Sequence, residues 1–444
     1  MTATPLPRLV HIETFGCQMN ESDSELVRAL LKREGFSFTP DRERADVLLV
    51  NTCAIRENAH NKIYAHLTEL KEIKKRRPLV IGVLGCMAQN LKSELARQEP
   101  LIDILAGPDA YRELPLLLSN ALAAQEQGFA QRGFALDLSE YETYEGILPD
   151  RNDGVNAWIT VMRGCDNFCS FCVVPYTRGR ERSRDPESIL TEARDAAARG
   201  FTQITLLGQN VNSYRYGNWD FARLIGAVAD TPGIHRVRFT SPHPKDFPPA
   251  LLQAIATHPK ICKHIHLPLQ SGSDRILELM GRTYSAGEYL ALVERIRTLI
   301  PAVTLTTDII CGFCSESDDD FLETQRVVER IQFESAYIFK YSERKHTIAA
   351  RKYPDDVPDQ VKGARVATLV DIQRRISLER NRRYIGKHVE VLVERNATKS
   401  PTQGMGRTDG NITVVWEKGT DPFEPGTLTT KDIFDASAAT LYGK

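Results

Sequence analysis

Along the first 125 residues, three apolar runs repeat one arrangement. Arg8-Leu9-Val10-His11-Ile12-Glu13-Thr14 leads into Phe15-Gly16-Cys17, and Ala45-Asp46-Val47-Leu48-Leu49-Val50 into Asn51-Thr52-Cys53. Leu79-Val80-Ile81-Gly82-Val83-Leu84 leads into Gly85-Cys86. Helical patterns follow each run, at about 21–34, 55–76 and 88–97. Strands alternating with helices predict a parallel sheet with helices on its faces. Loops at the carboxyl ends of such strands gather at one edge, where ligands bind. Cys17, Cys53 and Cys86, 36 and 33 residues apart, are therefore expected to converge. One cysteine at a strand end is usually a small buried hydrophobe. Three in the same relative position favour a ligand set.

A second α/β pattern follows. Six strand candidates, 155–161, 202–207, 235–240, 263–268, 303–309 and 334–340, are separated by helical patterns, notably 186–199, 247–257, 274–280, 285–300 and 317–331. Asp185 followed by Pro186 gives the first helix an N-cap and a proline at its first position. Six β/α units are too few for a closed eight-unit barrel and predict an open, partial one, with its chemistry on the loops after the strands. Those loops carry Gly208-Gln209-Asn210, Ser241-Pro242-His243, Pro268-Leu269-Gln270, Asp308 and Lys340-Tyr341. Singly each reads as loop capping; clustered at one face they become site candidates.

Between the two patterns, residues 126–152 lack periodicity and carry Asp137, Glu140, Glu142, Glu145 and Asp150, which reads as an acidic linker. Past Tyr384, short runs at 389–393, 412–416 and 427–430 are flanked by glycines and predict a small all-β barrel. The expected organisation is an α/β sheet domain at 8–125, the linker, a partial (β/α)6 barrel at 153–383 and an all-β domain at 384–444.

Composition changes this picture little. At 42% hydrophobic and 26% charged, the chain is of ordinary soluble type. A net charge of −1 excludes a globally basic nucleic-acid binder and leaves only a local patch. One candidate patch holds Arg374, Arg375, Arg380, Arg382, Arg383, Lys387, Arg395, Lys399 and Arg407, opposed only by Glu379, Glu390 and Glu394. A phosphate-binding surface and a solvated helix end both remain open there. The Lys71–Arg77 run reads as a solvated helix C-terminus. No apolar run approaches the ~20 residues that span a bilayer, and the first residues lack a signal h-region. No membrane association is expected, and a cytoplasmic location is.

Nine cysteines are too sparse for a disulfide scaffold in a chain this long. The second group of three lies in Arg163-Gly164-Cys165-Asp166-Asn167-Phe168-Cys169-Ser170-Phe171-Cys172. Thiolates suit iron–sulfur clusters and zinc, and cysteine ligands normally come in fours. Three on a cubane would leave one iron open. A helical seam would give the same spacing, but Gly164, Asp166-Asn167 and Pro175 are loop signals. The following Arg178-Gly179-Arg180-Glu181-Arg182-Ser183-Arg184 reads either as an exposed charged turn or as a bidentate hold for a substrate carboxylate or phosphate. Cys311-Gly312-Phe313-Cys314 has the spacing of a redox or metal half-site, but without a partner pair it reads as incidental thiols.

With these residues in hand, the chain resembles the radical S-adenosylmethionine (SAM) methylthiotransferase family over nearly its full length. Cys165, Cys169 and Cys172 match the family's Cys-x3-Cys-x2-Cys motif, and Cys17, Cys53 and Cys86 its amino-terminal cluster site. The last domain resembles the RNA-binding TRAM module. Gly16–Asn20 with Asp23-Ser24-Glu25, Asn51–Ala59 and Leu207–Tyr214 resemble the branch of the family that acts on tRNA. Two departures stand out. The family's Gly-Phe-Pro-Gly-Glu is Gly312-Phe313-Cys314-Ser315-Glu316 here, and its Arg-Pro-Gly-Thr is Arg344-Lys345-His346-Thr347.

The resemblance implies two [4Fe-4S] clusters, with SAM as both radical source and methyl donor. SAM would sit on the open iron held by Cys165, Cys169 and Cys172, with Gln209, Asn210, Ser241, Gln270, Asp308 and Tyr341 as its further contacts. Reductive cleavage would give a 5′-deoxyadenosyl radical, needed because no side-chain base removes an unactivated aromatic C–H. No side chain is therefore expected as a catalytic acid or base. The cluster on Cys17, Cys53 and Cys86 would deliver sulfur. The implied substrate is tRNA with N6-(dimethylallyl)adenosine beside the anticodon, methylthiolated at C2, in a loop whose bases can be splayed out. Arg374, Arg375, Arg382, Arg383, Lys387 and Arg407 are the implied RNA contacts. An external electron donor, an iron–sulfur supply system and a monomeric chain complete the expectation. Rivals are the same chemistry on a ribosomal-protein aspartate or on another tRNA adenosine derivative, and a two-cluster electron carrier with an RNA-binding tail. Three cysteines per site speak against the carrier, which has no need of an open iron.

Overall fold

The computed structural model describes residues 8–444 apart from 54–56, 153, 399 and 420–422, and gives no side-chain description of 57–62. Ala54-Ile55-Arg56 of the tRNA-branch motif and Lys399 of the basic patch thus lie outside the described residues.

The amino-terminal sheet is six-stranded and wholly parallel. Its order is Ser37–Phe38, Leu9–Phe15, Val47–Thr52, Val80–Leu84, Ile104–Ala106 and Gly133–Ala135. Val47–Thr52 and Val80–Leu84 are buried at every position, as strands covered on both faces must be. Helices Gln18–Arg33 and Leu114–Glu126 cover one face, and Glu57–Arg76, Cys86–Leu91 and Ser93–Gln98 the other. The expected acidic linker is packed instead. Gly133–Ala135 is the sheet's edge strand, and Tyr144 and Ile147 are buried in its core. Tyr144 Oη accepts from Tyr111 N and donates to Pro108 O, at 2.9 and 2.8 Å. A three-residue strand and two isolated side chains leave no periodicity to read.

The central strands fall where the apolar runs place them, as Asn156–Thr160, Gln203–Leu207, Arg236–Phe239, His264–His266, Thr304–Cys311 and Ser335–Lys340. Two parallel three-stranded stretches join through a Val237–Ile261 bridge into an open barrel. One apolar core of barrel strands and surrounding helices holds it together. Serines cap two of these helices with reciprocal boxes, Ser285 with Glu288 and Ser317 with Asp320. The 24-residue helix Asp359–Arg382 packs Leu369, Ile372 and Ile376 against the last two strands and covers the barrel's free edge.

The chain ends in a closed five-stranded barrel, His388–Ala397, Ser400–Thr408, Thr413–Glu417, Leu428–Ala436 and Thr440–Gly443. Three of these strands match the sequence expectation. Ser400–Thr408 and Thr440–Gly443 do not, because polar and glycine positions mask their alternation. The turn after Ser400–Thr408 plugs the central barrel at the amino-terminal ends of its strands. Arg238 donates to the carbonyls of Thr408 and Asp409 at 2.8 and 2.9 Å, and Arg236 to that of Arg407 at 2.6 Å. Thr304 Oγ1 donates to Gly410 O at 2.7 Å, and Lys263 N to Asp409 at 3.0 Å. No described helix is long and apolar enough to cross a membrane.

Gly410 tests this plug. A Cβ there would lie 2.6 Å from Thr304 Cγ2, so Gly410→Val should destabilise the chain by about 1–3 kcal/mol. Thermal unfolding measures it, and an unchanged midpoint would show that the plug does not hold the two barrels together.

Candidate functional site

The first cysteine triad is gathered by asparagines. Cys17 N-caps helix Gln18–Arg33, and its backbone N–H donates to Asn20 Oδ1 at 3.2 Å. Asn20 Nδ2 donates to Asn51 Oδ1 at 3.0 Å, and Asn51 Nδ2 returns to Asn20 O at 3.0 Å. Asn51 is the penultimate residue of strand Val47–Thr52, just before Cys53, so this buried pair ties the first two cysteine loops. The third closes on the same pair through Gly85, at φ +86°, where a Cβ would stand 2.4 Å from Asn51 Oδ1. Cys53 and Cys86 are buried and Cys17 partly so. A hydrogen bond from the Cys53 thiol brings Cys17 down to about 6, with the Arg178 charge contributing, while burial pushes Cys86 up.

The second triad sits on a loop fixed from several sides. Gly164, at φ +79°, brings the chain so near Arg180 that a Cβ would lie 1.9 Å from its carbonyl oxygen. Gly164 N donates to Gln209 Oε1 at 2.6 Å, Cys165 N to Gly179 O at 3.1 Å, and Ser170 N to Met280 O at 2.8 Å. Burial pushes Cys165 up to about 11 and Cys172 up to about 12. Arg282 Nη1 donates to Cys169 Sγ at 3.3 Å.

These donors fit iron–sulfur clusters. Each triad consists of soft sulfur ligands alone, largely buried, with an arginine on one sulfur to offset thiolate charge. Cys86, Cys165 and Cys172, pushed up by burial, would become thiolates where a metal centre compensates them, whereas Cys17 is already held low. Among the described residues, no three His, Cys, Asp or Glu side chains converge on one metal ion.

The triads face each other across the domain boundary. Cys86 packs against Val173, the residue after Cys172. Arg178, closing the short helix Val174–Arg178, donates through Nε to Cys86 Sγ at 3.2 Å and through Nη2 to Asp23 at 2.7 Å. The other oxygen of buried Asp23 takes Arg163 at 2.8 Å. Arg182 pairs with Asp109 at 2.9 Å, and Arg151 joins Glu25 of the first domain to Glu192 of the second. These contacts correct both readings of the Arg178–Arg184 run. Arg178 and Arg182 lock the domains together, Arg184 pairs with Glu192 inside the barrel wall, and only Arg180 is exposed, beside Asp166. Their acidic partners lie too far along the chain for any local signal. Asp23 stands in the motif shared with the tRNA branch and Arg163 heads the cysteine loop, yet the sequence gives neither a partner, and Arg282 carries no signal of its own.

Of the other candidates, Gln209 touches the cysteine loop directly. Asn210 is buried, donates to Glu181 and Asp246, and keeps an unpartnered Oδ1. Ser241 and Gln270 adopt left-handed backbone, φ +58° and +69°, and Asp308 pairs with His266 at 3.2 Å. Tyr341 is buried in a satellite cluster with Phe313, Cys314 and Met280, against which Phe171 of the cysteine loop packs. Cys311 and Cys314 enter different apolar clusters, as incidental thiols would. Ser315 and His346, standing where the family has glycine, both hold positive φ, +61° and +73°. The departures therefore keep the loops' backbone shape at some cost in strain. Lys345 also bridges to Glu94 of the first domain at 2.8 Å.

Among the basic candidates, Arg374, Arg375, Arg382, Arg383 and Lys387 are exposed along the end of helix Asp359–Arg382 and the entry to the last barrel. Arg407 stands apart from these. It is half-buried and occupied by Glu394 and Asn411.

Residues 9–107 match the Uncharacterized protein family UPF0004, 159–328 the Radical SAM superfamily and 382–443 the TRAM domain. The tRNA-2-methylthio-N(6)-dimethylallyladenosine synthase of Porphyromonas gingivalis W83 is 46% identical, over 98% of this chain and 95% of its own length. That of Chlorobium luteolum is 46% identical, over 99% and 97%. Among solved structures, the radical SAM methyltransferase TsrM from Kitasatospora setae, with cobalamin and a [4Fe-4S] cluster bound, has a TM-score of 0.58 at 14% identity, over 78% of this chain and 77% of its own. The cobalamin-dependent SAM radical enzyme OxsB has a TM-score of 0.53 at 13% identity, over 83% and 56%. These two likenesses are of fold alone.

Asp23→Ala would leave Arg163 and Arg178 buried without their carboxylate, which costs about 3–5 kcal/mol. Denaturant unfolding should register that loss. A variant as stable as the parent would remove Asp23 from its place at the boundary.

Proposed function

The chain belongs to the family of the tRNA-2-methylthio-N(6)-dimethylallyladenosine synthases, and we propose on that premise that it transfers a methylthio group to C2 of N6-(dimethylallyl)adenosine beside the anticodon of tRNA. It is a radical SAM enzyme, using a [4Fe-4S] cluster and SAM. The observation that carries the fuller reading is the pair of largely buried three-cysteine sites meeting at one domain boundary. One would hold the SAM-binding cluster on Cys165, Cys169 and Cys172, and the other a second cluster on Cys17, Cys53 and Cys86. Together these groups supply, when bound, a radical able to take hydrogen from an aromatic C–H and the sulfur that replaces it.

The chain's own residues hold and shield. Gly164 and Gln209 fix the cysteine loop, and Arg282 and Arg178 set one positive charge on each triad. Buried ion pairs keep the two domains closed around the site. Gln209, Asn210, Ser241, Gln270 and Asp308 are the side chains from which contacts to SAM would come. The units at 8–125, 153–383 and 384–444 divide the work into sulfur delivery, radical generation and RNA binding. An external donor supplies electrons, an iron–sulfur assembly system supplies the clusters, and the enzyme works as a cytoplasmic monomer.

Mass analysis of tRNA nucleosides from cells with and without this protein tests the substrate. The 2-methylthio mark should vanish without it, and an unchanged nucleoside profile would sink the reading. Cys169→Ala should abolish formation of 5′-deoxyadenosine, whereas Cys53→Ala should retain some and make no methylthiolated tRNA. Methylthiolation by the Cys53 variant would refute the second cluster site. For the basic surface, Arg382→Ala with Arg383→Ala should weaken tRNA binding whatever the anticodon-loop sequence. The slope of log K against log salt should fall by about 1 for each phosphate that is no longer neutralised, and a parental slope would exclude these arginines.

A further inference from the structure

Strands of a barrel turn alternate side chains toward the surrounding helices and into the lumen. On the last barrel strand, Ser335–Lys340, Ala336 and Ile338 pack outward with Leu369 and Ile372 of helix Asp359–Arg382. Tyr337 and Phe339 therefore face the lumen. They are 57% and 43% exposed, and among the described residues they are the exposed large apolar side chains that lie on the six barrel strands. A single apolar residue bare on an outer surface needs no explanation. Two aromatic rings bare on one inner face of an enzyme's barrel mark a place for a ligand.

The rings lead up to the cysteine loop. Tyr337 is in register with Asp308, and its ring meets that of His266 with 6.0 Å between centroids. Phe339 is in register with Ile310, which packs against the same satellite cluster as Phe171 of the loop. A group lying over both rings is thus beside the proposed SAM-binding cluster.

The charges around the rings decide what that group is. His266 is bonded to Thr306 through Nδ1 at 2.9 Å and to Asp308 through Nε2 at 3.2 Å. Arg238 is taken by Gln203 and the carbonyls of Thr408 and Asp409, and Arg236 by Glu390 and the carbonyl of Arg407. Lys340, at the end of the strand, pairs with Asp359 of the covering helix at 2.7 Å. A carboxylate brought to this wall would meet Asp308 and find each of these cations already committed. An apolar chain would instead cover the bare rings and remove their surface from water.

We propose that Tyr337 and Phe339 are specificity-determining residues that seat the apolar five-carbon chain on N6 of the substrate adenosine. The same wall disfavours an adenosine without that chain, and one whose N6 chain ends in a carboxylate. The inference rests on the reading of the substrate as a prenylated adenosine of tRNA, and it involves binding alone. With N6 held at the wall, the ring keeps its C2 edge free for the cysteine loop.

The test uses the full chain, reconstituted with iron and sulfide without oxygen. Its probes are three anticodon stem-loop RNAs of one sequence, whose adenosine carries on N6 a dimethylallyl group, no substituent or a chain ending in a carboxylate. Equilibrium titration gives each Kd, and phosphate contacts, common to all three RNAs, cancel in the ratios. The parent should bind the dimethylallyl RNA about tenfold or more tighter than the other two. Tyr337→Ala with Phe339→Ala should bring that ratio close to one, whereas Phe339→Leu, which keeps apolar surface, should retain most of it. Ile338→Ala, on the same strand but packed outward, should keep the parental ratio. A parental ratio in the double variant would overturn the inference. So would an equal fall in Ile338→Ala, or a parent that binds the carboxylate RNA as tightly as the dimethylallyl one. A parent that neither prefers the dimethylallyl RNA nor methylthiolates it would overturn the reading of the substrate itself, and the inference with it.

Discussion

Asp23 is the constraint from which the arrangement of the site follows. A carboxylate buried between two domains must be paired, and both of its oxygens are taken by arginines of the second domain. Those arginines bracket the cysteine loop, Arg163 before Cys165 and Arg178 after Cys172. Asp23 lies in the helix that Cys17 caps. One side chain thus fixes the start of the first triad against both ends of the second. A hydrophobic contact could supply as much stability, but it is not directional and would tolerate sliding. Paired charges do not tolerate it, because a displaced pair leaves an unpaired ion in a medium that solvates it poorly.

The open barrel needs neighbours for the same kind of reason. Six strands do not close, so both ends of the barrel and the edge strands Asn156–Thr160 and Ser335–Lys340 present unsatisfied groups. The first domain covers the carboxyl end, where the cysteine loop lies. Helix Asp359–Arg382 covers the Ser335–Lys340 edge, and the turn Thr408–Asn411 fills the amino-terminal end. Arg236 and Arg238 are barrel residues whose hydrogen-bond partners are carbonyls of the last domain. That domain is consequently an oriented part of the enzyme and not a tethered one, and its exposed basic residues hold a fixed position relative to the cysteines.

What could be read in the sequence was what is local. Apolar runs of strand length gave the central six strands within a few residues, and the shared strand–loop–cysteine design gave the first triad. The spacing of Cys165, Cys169 and Cys172 gave the second. What could not be read depends on distant partners. Nothing near Arg178 reveals that it meets a carboxylate 155 residues earlier in the chain, so an exposed turn and a ligand hold were the two readings open. Gly133–Ala135 is too short to show alternation, and its place at the sheet edge is decided by Ile104–Ala106. Cys311 and Cys314 have a half-site's spacing, but Gly312, at φ +72°, turns the chain between them and sends the two thiols into separate cores.

The same contrast bears on why this chemistry occupies two domains. A single loop can supply three sulfurs to one cluster, as residues 165–172 would, because a short segment with glycine and asparagine can fold back on itself. On the proposed reading, Cys17, Cys53 and Cys86 would have to stand beside that loop without competing for its irons. Sulfurs drawn from three strand ends of a separate sheet meet that requirement, since each is held by its own backbone and by the Asn20–Asn51 pair. The arginines between them then act as spacers. Their guanidinium planes are rigid, their charges cannot be lost near neutral pH, and each is pinned by a carboxylate or a carbonyl. With Val173 packed directly on Cys86, the boundary leaves the two triads adjacent yet separate, as the proposed division between a radical and a sulfur donor requires.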